Sequence, residues 1–343
     1  MKNTLYKNQV LNNNKANIIA IKALNEPLLV IDQQACKTVD GNLISDVREI
    51  VNTEIVVDQS NPNRLISLCC NNIKFNMIAC PKGGKVKLEY IQGEYDPPIT
   101  VKWKEYIDKP FMLGETEVTQ ELFESIMGFN YSYFKNPKNP VERVTWYDCI
   151  VFCNRLSVKC GAQPCYDISS IKLRDKPLDR DTYLPYSIDY AIVREIPGAK
   201  GFRLPYEREW QVASMLGLNR AYFTVNEDNL LDKAWINENS NKKTHPVAQK
   251  KPNEWGLYDI NGNVEEWCWD TYIRHNVYAL TWKGRSKKDF FTENRKKKPI
   301  KRVTRGGGWS TTSRLINEMQ NRLPNEPGGL SYNLGFRIAM TII

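Results

Sequence analysis

Apolar and polar positions follow helical spacing in three parts of the chain. Residues 121–127 and 146–160 each follow a threonine suited to cap a helix, and the second has a Thr145–Asp148 capping box. Residues 205–216 begin with a proline, which suits the first turn of a helix. The pattern therefore predicts three helices, of which the second is the longest.

Short apolar runs separated by turn-forming residues are typical of β-strands. Residues 77–80, 85–90 and 111–118 have this pattern in the main part of the chain. Residues 1–73 carry similar short runs but no motif with recognisable chemistry. We predict a small β-rich N-terminal extension of unknown role over residues 1–73, followed by an α+β domain over residues 74–343.

The composition is that of a globular protein. Of the 343 residues, 41% are hydrophobic and 25% are charged, which excludes a disordered chain and a collagen. No apolar run approaches the roughly 18 residues that a membrane-spanning helix needs, so we predict no transmembrane segment.

The net charge of +9 is concentrated in one segment. Residues 274–305 carry twelve basic side chains against two acidic ones, so the rest of the chain is near neutral. This basic insertion could meet nucleic acid. Few aromatic residues are interleaved with the charges, so a nucleic-acid partner is not favoured and a solvated loop is the simpler interpretation.

The nine cysteines and two histidines form no recognisable metal motif. The sequence has no CxxC pair, which argues against a zinc ribbon or a thioredoxin-type site. Disulfide pairings cannot be assigned from the spacing. The N-terminus is polar and lacks the apolar stretch of a signal peptide. We therefore expect either a cytoplasmic protein or a chain whose export signal is not part of this sequence.

Five segments in a fixed order carry the most specific signal in the chain. They are residues 114–120 (GETEVTQ), 141–148 (VERVTWYD), 202–210 (FRLPYEREW), 256–267 (GLYDINGNVEEW) and the closing pair 305–309 (RGGGW) with 334–337 (LGFR). Together they resemble the formylglycine-generating-enzyme family of C-type-lectin-like folds. The resemblance implies an α+β domain of this type with much irregular structure.

The resemblance also implies a catalyst, a pair of copper-binding cysteines shortly after the glycine-rich turn. Here the corresponding residues 310–316 contain no cysteine, and none follows Cys268. Threonine or isoleucine cannot replace a thiolate ligand and nucleophile. We therefore predict that the protein is not an enzyme. An enzyme with different chemistry would need another cluster of acid, base or nucleophile, and the sequence offers none.

The segment between the two closing motifs is rich in Ser, Thr, Asn, Gly and Pro. Its position resembles that of the C-terminal variable region, here residues 306–337, in the variable proteins of diversity-generating retroelements. The resemblance implies a diversifiable ligand-binding face, with residues 318–322 as fixed support and with Tyr332, Arg314 and Leu315 as the strongest contacts. The predicted face comprises Ser310, Thr311, Thr312, Ser313, Arg314, Leu315, Ile316, Leu323, Pro324, Asn325, Gly328, Gly329, Leu330, Ser331, Tyr332 and Asn333.

Such a face implies a macromolecular partner, which we expect to be a protein on another cell surface. The protein itself would then be displayed at the cell surface or outside the cell. The alternative function is that of a catalytically inactive family member that binds one fixed protein partner.

The resemblance further implies a structural calcium ion. Its ligands would be the side chains of Asp259 and Glu266 and the backbone carbonyls of Gly262 and Val264, a set of oxygen donors that suits a hard cation. Calcium would stiffen the loops and take no part in chemistry, so no cofactor is required. The alternative is a hairpin turn at Asn261-Gly262 with solvated acidic side chains.

Overall fold

The structure is a computed structural model of the 343-residue chain. It describes eight stretches, which are residues 64–80, 84–92, 99–107, 109–174, 188–214, 227–272, 300–319 and 322–342.

Two four-stranded sheets organise the described residues. The first has the order β1 (Arg64–Cys70), β2 (Ile73–Cys80), β5 (Phe111–Gly114) and β12 (Ala339–Thr341), and each strand is antiparallel to its neighbour. β12 pairs with β5, so the end of the chain is fixed beside its middle.

The second sheet carries the C-terminal segment. Its order is β10 (Leu323–Asn325), β9 (Arg302–Arg305), β8 (Glu265–Thr271) and β11 (Leu334–Gly335), with β11 parallel to β8. β9 and β11 flank the segment predicted to bind ligand and β10 lies within it, so the sheet holds both of its ends. The remaining described strands form two separate antiparallel pairs. One pair is β3 (Gly84–Gln92) with β4 (Ile99–Ile107), and the other is β6 (Tyr166–Leu173) with β7 (Ile188–Glu195).

Five helices are described, namely α1 (Gln120–Met127), α2 (Trp146–Lys159), α3 (Glu207–Ser214), α4 (Glu227–Lys233) and α5 (Ser313–Met319). The caps predicted for the first two are confirmed. The Thr119 hydroxyl accepts the N–H of Leu122, and Gly128 ends α1 in a left-handed conformation with φ of 81°. The Thr145–Asp148 capping box opens α2.

Several predicted element boundaries differ from the structure, and two of the differences have a visible cause. α3 begins at Glu207 and not at the preceding proline, because the Glu209 carboxylate accepts the N–H of Tyr206 and makes that residue the cap. The strand predicted over residues 111–118 ends at Gly114. There the chain bends, and the N–H of Val118 donates to the carbonyl of Phe336.

The predicted boundary at residue 73 falls inside one sheet. β1 pairs with β2 along its whole length, so residues 64–70 are part of the first sheet and not of a separate extension. The two strands are neighbours through a tight turn at Asn71 and Asn72, which both have positive φ. The remainder of the predicted extension, residues 1–63, lies outside the described residues.

The predicted basic insertion also overlaps the sheet. Residues 273–299 lie outside the described residues, but Arg302 and Arg305 are part of β9. The guanidinium of Arg302 lies 3.9 Å from the ring centroid of Trp146, and Arg305 is fully buried. Arg305 therefore belongs to the interior of the fold, and Arg302 is half-buried against an aromatic ring, so neither is part of a solvated basic loop.

Aromatic side chains join the helices to both sheets. Phe123 stacks on Phe152, and the ring of Phe336 meets both edge-on with centroids 6.3 and 5.3 Å away. The indole N–H of Trp146 donates to the carbonyl of Cys268, and the indole N–H of Trp267 donates to the carbonyl of Val144. These reciprocal bonds fix the start of α2 against β8.

A fully buried ion pair joins β8 to the end of the chain. Arg337 donates from Nε and a terminal nitrogen to the two carboxylate oxygens of Glu266, at 2.7 and 2.6 Å. Its remaining donors reach the carbonyls of Gly114 and Tyr258. One side chain thus connects the second sheet, the end of β5 and the loop that precedes β8.

We expect Arg337→Met to lower the free energy of unfolding by about 3–5 kcal/mol, because it leaves the buried Glu266 carboxylate without its cation. Urea unfolding would measure this loss. The double variant Arg337→Met/Glu266→Gln should recover part of the loss, because it removes the uncompensated charge. The interpretation is wrong if the double variant is no more stable than the single one. Lys251→Met, which breaks an exposed pair with Asp232, should leave the unfolding midpoint unchanged.

Candidate ligand-binding face

The two halves of the predicted face meet beside Trp309. The indole N–H of Trp309 donates to the carbonyl of Tyr332 at 2.8 Å, and its backbone N–H donates to the carbonyl of Asn263. The N–H of Ser310 lies 3.5 Å from the side-chain oxygen of Asn333. The start and the end of the segment are therefore neighbours on one rigid support.

Exposure separates the predicted contact residues into groups. Leu315 and Tyr332 are 41% and 43% exposed, which is unusual for large apolar and aromatic side chains. The exposed members are Ser310, Arg314, Leu315, Ser331 and Tyr332, and the half-buried ones are Thr312, Ser313, Leu323, Pro324, Asn325, Gly328, Gly329, Leu330 and Asn333.

Thr311 and Ile316 are corrections to the predicted face, because both are buried. The Thr311 hydroxyl accepts the N–H of Gly308, so this side chain closes the turn beneath the surface. Ile316 is 3% exposed and packs with Leu230 and Ile236. The segment forms helix α5 from residue 313 onward, and a helix on a surface must turn one side inward.

A fixed acidic residue holds the start of α5. The Glu238 carboxylate accepts both the N–H and the hydroxyl of Ser313, at 2.8 and 2.9 Å. A carboxylate at this end of a helix also meets its partial positive charge. Ser313 therefore has a supporting role, while Arg314 and Leu315 in the same turn face solvent.

Glu265 on β8 holds the other half of the face. Its two carboxylate oxygens accept from the Asn333 side chain at 3.3 Å and from the Thr304 hydroxyl at 3.2 Å. Asn325 donates to the same hydroxyl at 2.8 Å. Burial raises the pKa of Glu265 to about 7, against the lowering effect of these hydrogen bonds. The amides of Asn325 and Asn333 are therefore engaged with the scaffold.

The loop that carries Gly328 and Gly329 lies on the start of α2 and the β6–β7 hairpin. The N–H of Trp146 donates to the carbonyl of Pro327, and Arg174 donates to the carbonyl of Gly328 at 2.6 Å. A Cβ atom on Gly328 would lie 3.0 Å from the Arg174 guanidinium, so any larger residue must displace that side chain.

Arg322 is one of the residues 318–322 that the sequence predicts as fixed support, and its contacts agree with that prediction. It is buried and forms an ion pair with the Glu207 carboxylate at 2.6 Å, which anchors the chain between the two halves of the face to α3. Gln320 and Asn321, predicted as fixed support, lie outside the described residues, and the side chains of residues 317–319 do as well.

An exposed aromatic pair forms part of the face, and sequence analysis missed one of its members. Tyr133 is 61% exposed, and its ring centroid is 5.0 Å from that of Tyr332. Phe134 links Tyr133 to Trp309 through edge-on contacts. The guanidinium of Arg143 lies 5.1 Å from the Tyr332 ring. The cluster of aromatic residues at 129–134 was the available signal in the sequence.

Glu142 fixes the backbone beneath this aromatic pair. One of its carboxylate oxygens accepts the N–H groups of both Tyr133 and Phe134. Burial raises the pKa of Glu142 to about 7, and these two hydrogen bonds oppose that shift. The loop that presents Tyr133 is therefore attached to a buried side chain of the scaffold.

The predicted calcium ligands differ in whether their side-chain oxygens are already bonded to other protein groups. Asp259 is buried, and its Oδ1 has no hydrogen-bond partner among the described residues. Glu266 already accepts from Arg337 and from the Trp210 indole. Glycine is required at position 262 for a reason unrelated to calcium, because a Cβ atom there would lie 2.4 Å from the carbonyl oxygen of Trp235.

Asp259 therefore has one carboxylate oxygen open to a cation, whereas both carboxylate oxygens of Glu266 are already bonded to protein groups. Among the described residues, no group of three His, Cys, Asp or Glu side chains could hold a metal ion by itself. Calcium at these four residues remains a prediction from the family resemblance.

Several described cysteines are buried thiols with little nucleophilic character. Burial raises the pKa of Cys149, Cys153 and Cys268 well above the ordinary range. A thiol that stays protonated is a poor nucleophile and metal ligand. The residues after Gly308, where the resemblance places the catalytic cysteines, present Ser310 and Thr311 instead.

The chain is similar to several known proteins. Residues 76–342 match the Sulfatase-modifying factor enzyme 1-like domain. Treponema denticola variable protein 1 superposes with a TM-score of 0.58 at 30% identity, over 80% of this chain and 98% of that protein. The Chaperone protein LppX of Paenibacillus barcinonensis is 32% identical over 66% of this chain and 79% of its own length.

A relative named for the loss of activity is also found. Inactive C-alpha-formylglycine-generating enzyme 2 of Mus musculus is 32% identical over 158 residues, which are 41% of this chain and 43% of the mouse protein. The matches confirm the predicted α+β fold of the C-type-lectin-like, formylglycine-generating-enzyme type. Within the described part of the chain, no helix combines the length and apolar character needed to cross a membrane.

We expect Glu265→Gln to change how stability depends on pH. The folded-state pKa of about 7 exceeds the ordinary value of 4.5, so Glu265 destabilises the folded protein progressively as pH rises from about 4.5 to 7. Relative to the variant, the free energy of unfolding of the wild type should fall by on the order of 3 kcal/mol between pH 4 and pH 8. Urea unfolding of both proteins across this range would measure the difference. A constant difference would contradict the assignment.

We expect substitution by serine at two neighbouring residues of α5 to change stability by very different amounts. Ile316→Ser should lower the free energy of unfolding by about 2–5 kcal/mol, because it removes a buried side chain. Leu315→Ser should change it by no more than about 0.5 kcal/mol, because that side chain already faces solvent. Equal losses in denaturant unfolding would show that α5 is not oriented as described.

Proposed function

The chain belongs to the family of Sulfatase-modifying factor enzyme 1-like domains, and we propose that it is a non-catalytic ligand-binding member with a diversifiable C-terminal face. The proposal rests on one observation, which is that exposed side chains of the C-terminal segment adjoin residues that are hydrogen-bonded to the scaffold. Ser310 and Tyr332 lie side by side at the surface, and Trp309 and Asn333 hold them from behind. A surface of this kind can change its side chains without loss of the core.

The absence of a catalyst supports a binding role. The C-terminal segment offers hydroxyls and no thiol at the position that the family uses, and burial raises the pKa of the Cys268 thiol well above its ordinary range. The similarity to a variable protein and to an inactive family member agrees with a protein without this activity.

The geometry narrows the proposed face. Exposed Ser310, Arg314, Leu315, Ser331 and Tyr332 would make the variable contacts, flanked by the half-buried residues of the two loops. Buried Thr311, Ile316 and Arg322, and the engaged amides of Asn325 and Asn333, would support them. Substitutions at those supporting positions would leave buried polar groups without hydrogen-bond partners, and this would lower the stability of the fold.

We add Tyr133 to the face as a contact that does not vary. It lies outside the C-terminal segment, yet its ring adjoins Tyr332 and is more exposed. Tyrosine suits a binding surface, because it buries a large area, offers a hydroxyl and loses little side-chain entropy. A fixed tyrosine beside variable positions would give every variant a common contact.

The partner of such a face would be a macromolecule, and we propose a protein on another cell surface. Mixed polar and aromatic contacts with one exposed arginine, Arg314, are typical of protein-recognition surfaces. Display at the cell surface or secretion follows from this proposal. A structural calcium ion at Asp259 would stiffen the loop that carries Asn263, to which Trp309 is bonded.

Sequencing this locus across many isolates tests the proposal. We expect substitutions to concentrate at the exposed positions between residues 310 and 332, while Thr311, Ile316, Arg322 and Tyr133 stay constant. Residues 64–272 supply the internal control for the background rate of change. Substitutions spread evenly over the chain, or an invariant C-terminal segment, would overturn the diversifiable face and leave a family member that binds one fixed protein partner.

A further inference from the structure

One exposed aromatic side chain belongs neither to the core nor to the proposed face. Six large apolar or aromatic side chains are exposed among the described residues, and three of them, Tyr133, Leu315 and Tyr332, belong to that face. Tyr190 of β7 is a fourth and is 53% exposed. Tyrosine is a frequent contact residue at protein interfaces, so the position of Tyr190 relative to the face matters.

The β6–β7 hairpin that carries Tyr190 touches the loop of Gly328, which is part of the proposed face. Arg174, the residue after β6, donates to the carbonyl of Gly328 at 2.6 Å. A Cβ atom on Gly328 would lie 3.2 Å from the carbonyl oxygen of Asp189 and 3.9 Å from that of Ile188. Because Tyr190 directly follows Asp189, it lies at the border of this loop.

The core holds the backbone around Tyr190 in place. Its neighbours Ile188 and Ala191 are buried in the main core cluster. The start of β6 is bonded to α2, because the Asn154 side chain accepts the N–H of Tyr166 and donates to its carbonyl. Tyr190 is therefore presented by a fixed backbone, and little conformational freedom of the main chain would be lost when it meets a partner.

Charged side chains surround this tyrosine. Lys172 is the cross-strand partner of Tyr190, and its Nζ lies 3.7 Å from the Asp189 carboxylate. The guanidinium of Arg174 lies 3.8 Å from the same carboxylate. Lys172 and Asp189 are exposed to solvent, so their ion pair contributes little to stability. An exposed aromatic ring bordered by polar and charged groups is typical of a protein-recognition surface.

We propose that the ligand-binding face continues onto the β6–β7 hairpin and that Tyr190 is a second fixed contact for the protein partner. This inference rests on the proposed function, because it assigns a further contact to the same face. Tyr133 would meet one part of the bound protein beside Tyr332, and Tyr190 would meet another part beside Gly328. Neither tyrosine belongs to the C-terminal segment, so both contacts would remain when that segment changes.

A library displayed on yeast tests the inference with probes of known identity. The full-length chain is randomised at the exposed positions of the segment, and clones are selected for binding to lysozyme and, separately, to ubiquitin. The randomised positions are Ser310, Arg314, Leu315, Ser331 and Tyr332. The affinity of each selected clone is then measured without further change and with Tyr190→Ala, Tyr190→Phe or Leu65→Ala. Leu65 is the matched control, because it is 42% exposed but lies on β1 of the first sheet.

We expect Tyr190→Ala to raise the Kd by about tenfold in clones selected against either probe, because it removes a contact that they share. Tyr190→Phe keeps the ring and should cost less, and Leu65→Ala should leave the Kd unchanged. An unchanged Kd in the Tyr190→Ala forms would overturn the inference and leave the proposed function in place. Failure to obtain any binding clone would instead overturn the proposed function, and this inference with it.

Oxidation by hydroxyl radicals supplies a second measurement, which needs no substitution at Tyr190. Trypsin cleaves after Arg180 and Arg194, so Tyr190 lies within one peptide, and tandem mass spectrometry locates the oxidised residue. We expect oxidation of Tyr190 to fall when a selected clone binds lysozyme, while oxidation of Leu65 stays constant. Equal oxidation of Tyr190 in the free and bound protein would place it outside the contact area and overturn the inference.

Discussion

Glu266 and Arg337 meet at the point where β8, the end of β5 and the last segment of the chain converge. Both side chains are fully buried, and Arg337 uses its other donors on the carbonyls of Gly114 and Tyr258. A buried cation and a buried anion each carry a large desolvation cost unless they are paired. The pairing therefore requires these three segments to be in place together, and it fixes the sheet that holds both ends of the C-terminal segment.

The same scaffold would allow the proposed face to vary while the fold persists. Glu238, Glu265 and Glu142 each reach from a fixed position to the backbone or an amide of a surface loop. These bonds determine where the loops lie, so the exposed side chains between them are not needed for stability. The arrangement separates residues that hold the loops from residues that face solvent, as binding loops on a rigid scaffold require.

Membership of a family does not by itself assign that family's chemistry to a chain. The fold is retained across residues 76–342, but the thiols that would perform catalysis are absent from the segment after Gly308. Function resides in sites that a fold carries and not in the fold itself. In the proposed function, the loops at this end of the second sheet would serve recognition.

The sequence alone determined the family, the α+β class, the caps of α1 and α2 and the position of the C-terminal segment, because these depend on local patterns and ordered motifs. Tertiary structure decided which residues of that segment face outward. Thr311 and Ile316 are buried although their neighbours are exposed, and Tyr133 joins Tyr332 from almost two hundred residues away. The pairing of the β1–β2 hairpin with β5 likewise depends on packing between separate parts of the chain, which local sequence patterns do not encode.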